Sequence, residues 1–322
     1  MQQRELKLLT QKILDGLRLT ENDDLSFLLT SPLPKLMTAA KELQHHFRQN
    51  KLSLCSIINA KSGNCSENCR YCAQAACHQT NISAYSFLPA EKILPHAQKA
   101  EAAGIRRLAL VTSGRGLKGK DFTAALEIYQ MLSTHSQLHL CASHGIIDLA
   151  SLQALKKAGV SRYHHNLETS RRFFPKICTS HTYDERIQTI KNALQAGLEV
   201  CSGGIFGLGE TWQDRLDMAL ELAKLKIKSI PLNILTPIPG TPLEKNQPLQ
   251  AEEIMRIICI FRLLNPEADI RLAAGRSRLP DKGLAAFKHG ASAAIAGDML
   301  TTAGTALKDD LAMLQREGFS LI

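Results

Sequence analysis

Residues 62–78 read SGNCSENCRYCAQAACH and crowd Cys65, Cys69, Cys72 and Cys77 into one short loop. Disulfides, zinc, a thiol nucleophile and an iron-sulfur cluster all use cysteine, so the flanking sequence has to choose between them. The loop follows directly on the apolar run LCSIINA at 54–60. A loop leaving a first strand in this way is the point from which the rest of the chain is read.

Upstream, residues 1–50 read as a helical extension: RELKLLTQKILDGL and LPKLMTAAKELQHHFRQ, with an interruption containing SPLP. Downstream, short apolar runs alternate with amphipathic segments. LCSIINA is followed by RRLALVTS, LHLCAS, RYHHNLE, EVCSGGI, IPLNILT, IRLAAG and ASAAIAG, which makes eight candidate strands. Between them lie helical patterns such as AEKILPHAQKAEAAG, TYDERIQTIKNALQAG and AEEIMRIICIFRLL, several of which start after Asp or Thr and end at Gly. Strands alternating with helices imply parallel pairing and an α/β fold. Eight such units favour a (β/α)8 TIM-type barrel over 51–322, ending in a C-terminal tail. No flexible linker divides this body.

The 322 residues accommodate a barrel of about 250 residues plus an extension. Hydrophobic residues at 44% and charged residues at 21% match the ordinary globular mixture and exclude a disordered chain. The first residues alternate charge and apolarity at helical spacing, unlike a secretory signal, and no apolar run reaches the roughly 20 residues of a membrane span. With no export expected, nine cysteines read as reduced thiols or metal ligands in a cytoplasmic protein. The net charge of +9 fits an acidic redox partner or a solvated surface. Nucleic acid is not expected, because the basic residues are scattered and no aromatic RNA-binding motif is present.

Cys65, Cys69 and Cys72 form CxxxCxxC at the face of a barrel that carries active sites. Three thiolates on a short loop can hold three irons of a four-iron cluster and leave the fourth for an exogenous ligand. The competing reading is structural zinc completed by Cys77 or His78. Tyr71, just before Cys72, and the barrel context suit the iron-sulfur arrangement better.

With that loop in place, the chain resembles the radical S-adenosylmethionine superfamily and, within it, the biotin synthase family. The segments that carry the likeness are INAKSGNCSENCRYCAQ, HHNLETS, VCSGGIFGLGET, IPLNIL with GTPL, IRLAAGR and GDMLTTAG, in order from about residue 50 to 305. The resemblance implies a 4Fe-4S cluster on Cys65, Cys69 and Cys72, chelated by S-adenosylmethionine.

Of the other cysteines, Cys55, Cys141 and Cys201 fall on the first, third and fifth candidate strands, and Arg271 falls on the seventh. A layer inside a (β/α)8 barrel draws its four side chains from alternate strands, so these four are expected at one level. An unpaired buried guanidinium is costly, which calls for an anionic partner such as a thiolate-bound cluster. The family holds an auxiliary iron-sulfur cluster, the sulfur donor, on three cysteines and an arginine, and Cys141, Cys201 and Arg271 fall on matching positions. Ala109 stands where the family often has the remaining cysteine, and Cys55 is the evident replacement, leaving a two-iron or larger cluster open. Cys77, Cys178 and Cys259 are read as structural or incidental.

The resemblance also assigns binding residues. Asn166 and Glu168 match positions that contact substrate and the cofactor ribose, Ile205 packs on adenine, and Tyr71 lies beside the cofactor. His164 stands where the family commonly has a substrate-contacting asparagine. Asn233 offers donor and acceptor to a ureido ring, and Thr301 and Thr302 match the pair that receives the substrate carboxylate. The closely spaced glycines of CSGGIFGLGET are read as letting backbone approach adenosine.

The implied activity is radical insertion of sulfur into dethiobiotin to form biotin. The implied partners are an acidic electron donor such as flavodoxin or ferredoxin and a second copy in a homodimer. The alternatives are a hydrogenase maturase-like or methylornithine synthase-like radical enzyme, or a non-catalytic zinc or iron-sulfur module.

Overall fold

The computed structural model describes residues 2–297, 300 and 307–322. Its first strand, β1 (Lys51–Lys61), runs into the cysteine loop. In chain order come β2 (Arg107–Thr112), β3 (His139–Ser143), β4 (Val160–His164), β5 (Glu199–Cys201), β6 (Gly204–Phe206), β7 (Ser229–Ile234), β8 (Asp269–Leu272), β9 (Ala293–Ile295) and β10 (Ser320–Leu321). Neighbours pair in parallel in the order β1-β2-β3-β4-β5-β7-β8-β9, and β9 pairs back onto β1. β6 pairs with β7 just beyond β5, so these two form one interrupted stave, and the barrel closes on eight staves.

Helices α1 (Gln2–Leu14), α2 (Ser26–Thr30) and α3 (Leu33–Arg48) precede β1. Helices α4 (Ala90–Ala102), α5 (Gly119–His135), α6 (Leu149–Lys157), α7 (Tyr183–Gln195), α8 (Trp212–Lys224) and α9 (Ala251–Leu264) alternate with the staves. The short α10 (Leu284–Lys288) lies between β8 and β9, and α11 (Leu307–Arg316) precedes β10. Local sequence fixes several starts: the Asp148 carboxylate accepts from Ser151 N–H, and Thr182 with Glu185 and Thr211 with Asp214 make reciprocal capping boxes.

Helix α9 is apolar on nearly every face because it is covered twice, by the barrel inside and by α3 outside. At that seam Gln44 is buried, donating to the carbonyls of Phe287 and Ala291 while its oxygen accepts from Gly290 N–H.

The eight apolar runs become the eight staves, with three local differences. The SPLP stretch starts a helix as well as ending one, because Pro32 caps α3 and Pro34 sits in its first turn, where no backbone N–H is needed. Strand β4 ends at His164, so Asn166 and Glu168 lie beyond it on a segment that meets β6 again through a bridge between Glu168 and Gly204, and there Glu168 takes the left-handed conformation (φ 70°). The fifth run breaks between Cys201 and Gly204. The pairing of β10 with Lys51 and Leu52 has no counterpart in the sequence reading.

Candidate active site

A cavity of about 390 Å³ enters the barrel, and residues of the cysteine loop lie at it: Cys65, Tyr71 and Cys72. Its wall continues through Asn166, Glu168, Ile205 and Asn233. Deeper in the barrel it is lined by Cys55, Cys141, His164, Cys201 and Arg271. Of the expected site residues that are described, only Cys69 does not line it. Thr301 and Thr302 lie outside the described residues.

The pairing registers explain why the odd staves converge. Cys55 pairs with Arg107, and Arg107 with His139, two residues before Cys141. Cys141 pairs with Arg162, and Arg162 with Glu199, two before Cys201. Cys201 pairs with Ser229, and Ser229 with Asp269, two before Arg271. Arg271 pairs with Ala293, and Ala293 with Ser53, two before Cys55. The circuit closes after four climbs of two residues, a shear of eight, which puts the four side chains at one level across the tilted staves. Ala109 pairs with Ile57 and Cys141 instead, and so belongs to an even stave at the adjoining level.

Arg271 is 2% exposed and fully engaged. Its guanidinium donates to the carbonyls of Ser53 and Ala294 and to the Cys55 sulfur at 3.3 Å. Two more arginines, absent from the sequence reading, face the same space: Arg107 donates to the Cys141 sulfur at 3.6 Å, and Arg162 pairs with Glu199. Their signal was the period of two, since Arg107 lies two residues before Ala109 and Arg162 two before His164. Burial pushes the Cys141 thiol up. Burial acts the same way on Cys201, but a hydrogen bond from His164 and the charges of His164, Arg271 and Arg162 outweigh it and bring that thiol down to about 6. His164 therefore stands against a cysteine of the layer.

On the loop, burial pushes Cys65 up and Cys72 up to about 11, so neither thiol is a poised nucleophile. Cys69 faces away from the cavity. Its sulfur lies 3.7 Å from that of Cys178, on the segment between β4 and α7, and this hydrogen bond raises the Cys69 thiol while holding Cys178 down to about 3. His181 packs against the pair, and Cys69, Cys178 and His181 are the one group of three metal-ligand side chains with atoms within 4.8 Å of one another among the described residues. Cys77 is exposed and His78 Nδ1 donates to the Cys72 carbonyl at 3.0 Å, so the competing reading of zinc completed by either has no geometric support. Of the two readings of Cys178, structural or incidental, this contact favours the structural one, and Cys259 is a buried thiol of α9 directed at the His289 carbonyl.

Beyond β4, the Glu168 carboxylate accepts from the Asn166 amide at 3.3 Å and lies 3.6 Å from Arg186. The Asn166 oxygen accepts from Gly203 N–H. Asn233 ties β6 to the chain after β8 by donating to the Gly204 carbonyl and accepting from Ala274 N–H, which leaves one further amide hydrogen and one lone pair. Two of the closely spaced glycines have a packing role that the sequence reading did not give. A Cβ on Gly203 would stand 2.0 Å from the Pro231 carbonyl oxygen, and one on Gly204 2.5 Å from that of Glu168, so both serve close packing of protein backbone. Ile205 between them and Phe206 is the residue that reaches the cavity.

Residues 60–222 match the radical SAM superfamily model, and residues 231–320 match that of the biotin and thiamin synthesis associated domain. The chain is 52% identical to the biotin synthase of Campylobacter hominis, covering 98% of this chain and 97% of that one. It is 49% identical to the biotin synthase of Clostridium beijerinckii, covering 97% and 99%. The chain belongs to the biotin synthase family. Among solved structures, methylornithine synthase superposes with a TM-score of 0.84 at 21% identity over 98% and 97% of the two chains. A maturase of FeFe-hydrogenase from Carboxydothermus hydrogenoformans reaches 0.84 at 17% identity over 99% and 79%. At these identities the two share the barrel fold with this chain.

Membership of the radical SAM superfamily implies a 4Fe-4S cluster and S-adenosylmethionine. The donor set fits this biotin synthase family requirement: three unbridged cysteines on one loop, two of them on the cavity wall, with thiols that burial disfavours as free anions and that a cationic metal would deprotonate. Among the described residues no helix is long and apolar enough to cross a membrane.

Proposed function

We propose that this chain is a radical S-adenosylmethionine sulfurtransferase that inserts sulfur into dethiobiotin to form biotin. The observation that carries the reading is the single cavity joining the CxxxCxxC loop to the level of Cys55, Cys141, Cys201 and Arg271. Cys65, Cys69 and Cys72 would hold the 4Fe-4S cluster, and the inner four would hold an auxiliary iron-sulfur cluster of two irons or more. Bound there, the outer cluster would supply the electron for reductive cleavage of S-adenosylmethionine and the inner one the sulfur for the product.

The chain's own residues then have distinct tasks. Arg271, Arg107 and Arg162 surround the inner cysteines with positive charge, which helps to lower the Cys201 thiol and offsets part of the rise that burial imposes on Cys141. Arg186 and Asn166 hold the Glu168 carboxylate in place, where it would accept the ribose hydroxyls of the cofactor. Tyr71 and Ile205 form apolar wall beside the cofactor and help to exclude water. The free hydrogen and lone pair of Asn233 face a ureido group, His164 adjoins the substrate, and Thr301 and Thr302 take its carboxylate.

Further parts of the proposal are a cytoplasmic enzyme, an acidic electron donor such as flavodoxin or ferredoxin, and a homodimer. Residues 1–50 form an N-terminal extension to a barrel domain at 51–322. Anaerobic reconstitution with iron and sulfide, followed by incubation with reductant, S-adenosylmethionine and dethiobiotin, tests the reading. It predicts 5'-deoxyadenosine and biotin by mass spectrometry. Deoxyadenosine without biotin would move the chain to another radical reaction, and neither product would sink the proposal.

A further inference from the structure

The strand registers that set the level of the inner cysteines also order the wall above them. On β3, Ser143 lies two residues beyond Cys141 and pairs with Val111, two beyond Ala109. On β7, Asn233 lies two residues beyond Pro231, the partner of Arg271. The period of two therefore turns Ser143 to the same side as Cys141, one step nearer the cavity mouth, and both side chains line the cavity. From the cysteine level up to Asn233, Ile57, Ala109, Val111, Pro231 and Ile295 make the wall apolar.

His164 and Ser143 interrupt that wall. His164 is engaged by Cys201. The Ser143 hydroxyl makes no hydrogen bond to any of the described residues, although the residue is half-buried. A hydroxyl withdrawn from water without a partner is costly, so one placed on an apolar cavity wall calls for a ligand.

Asn233 tells which ligand atom remains to be met. Its free amide hydrogen and lone pair can pair with the carbonyl oxygen and one N–H of a cyclic urea, as two amides pair edge to edge. The second N–H, on the opposite edge of the ring, is then without an acceptor. Ser143 stands three of the eight staves away from Asn233, on another side of the bore.

We propose that Ser143 is a further substrate-binding residue, its hydroxyl oxygen accepting the ureido N–H of dethiobiotin that Asn233 leaves free. The inference rests on dethiobiotin being the substrate. A ring held at both edges does not turn about the Asn233 contact, and its substituted carbons keep one orientation toward the inner cysteines.

The test is equilibrium dialysis of dethiobiotin against the anaerobically reconstituted full-length chain and its Ser143→Ala variant, with S-adenosylmethionine present and no reductant. Ser143→Ala should keep its iron and its cofactor affinity and bind dethiobiotin about tenfold more weakly, the scale of one neutral hydrogen bond. Two isomeric lactam analogues, each with CH2 in place of one ureido N–H, supply a readout that a structural role would not move. One isomer should bind the unsubstituted chain about tenfold more weakly than dethiobiotin but bind Ser143→Ala as well as dethiobiotin does; the other should lose equally in both proteins. Undiminished dethiobiotin affinity in Ser143→Ala would overturn the proposal. So would a loss of cofactor affinity in its place, or two isomers that each lose equally in both proteins. Failure of the unsubstituted chain to bind dethiobiotin is a different result and would sink the substrate reading itself.

Discussion

The guanidinium of Arg271 on β8 donates to the sulfur of Cys55 on β1 at 3.3 Å, across the seam where β9 closes the barrel. The two residues are 216 apart in sequence, yet a shear of eight brings them to one level. Cys55 thus occupies the side of the layer that Ala109 does not supply. Cys55→Ser should deplete the auxiliary cluster and abolish biotin formation while deoxyadenosine still forms. Iron and sulfide counts with a biotin assay check this, and a variant with both clusters and normal biotin output would make Cys55 an ordinary buried thiol.

Replacing Cys65, Cys69 or Cys72 with Ala should remove reductive cleavage of S-adenosylmethionine altogether. On the proposed assignment each would supply a thiolate to the cluster, and Cys77, the remaining cysteine of the loop, is exposed and outside the cavity. Deoxyadenosine measured after reconstitution is the readout. Continued production in any one of the three would remove that residue from the ligand set.

Glu168→Ala should weaken S-adenosylmethionine binding by roughly ten- to a hundredfold, the range of one or two charge-assisted hydrogen bonds, with iron content retained. Because Arg186 and Asn166 hold the carboxylate, Glu168→Asp should also lose affinity by shortening its reach. Equilibrium dialysis of the cofactor measures both. Equal affinity in all three proteins would return Glu168 to a structural role.

Gly203→Ala should destabilise the chain by about 3 kcal/mol or more, at the upper end of overpacking effects, because its Cβ would lie 2.0 Å from the Pro231 carbonyl oxygen. Urea unfolding is the measurement. A stability loss under about 1 kcal/mol would show that β5 and β7 can separate to admit a methyl group.

Acid should act through Asp214 at the start of α8. Burial alone would raise this carboxyl, but hydrogen bonds from Ser170 and Thr211 and the Arg172 guanidinium outweigh it and hold the group below the usual carboxylate range. A depressed folded value contributes stability above the unfolded value of about 3.9, and that contribution is lost as pH falls through the folded value. The stability gap between the unsubstituted chain and Asp214→Asn should therefore be flat near neutrality and shrink below about pH 4. Denaturant titrations across this range would show it, and a gap independent of pH would contradict it.

The alternation of apolar runs and capped helices was sufficient to read the staves, since a strand's period and a helix's caps are local properties of the chain. The layer of Cys55, Cys141, Cys201 and Arg271 was legible too, because barrel closure imposes one geometric rule on every odd stave. The same period of two would have exposed Arg107 and Arg162, which sit one inward step below Ala109 and His164. Their burial required a counter-charge, Glu199, that only strand register brings alongside.

By itself, then, the sequence determined the parallel barrel, the loop holding Cys65, Cys69 and Cys72, and the level at which the inner cysteines stand. Tertiary structure alone decided that Gly203 and Gly204 serve backbone packing and that Asn166 and Arg186 support Glu168. It also decided that Cys178 lies behind Cys69, 109 residues away. Periodicity fixes which way a side chain points along its own element, whereas the partner it meets depends on where a distant loop folds back, and no local pattern encodes that distance.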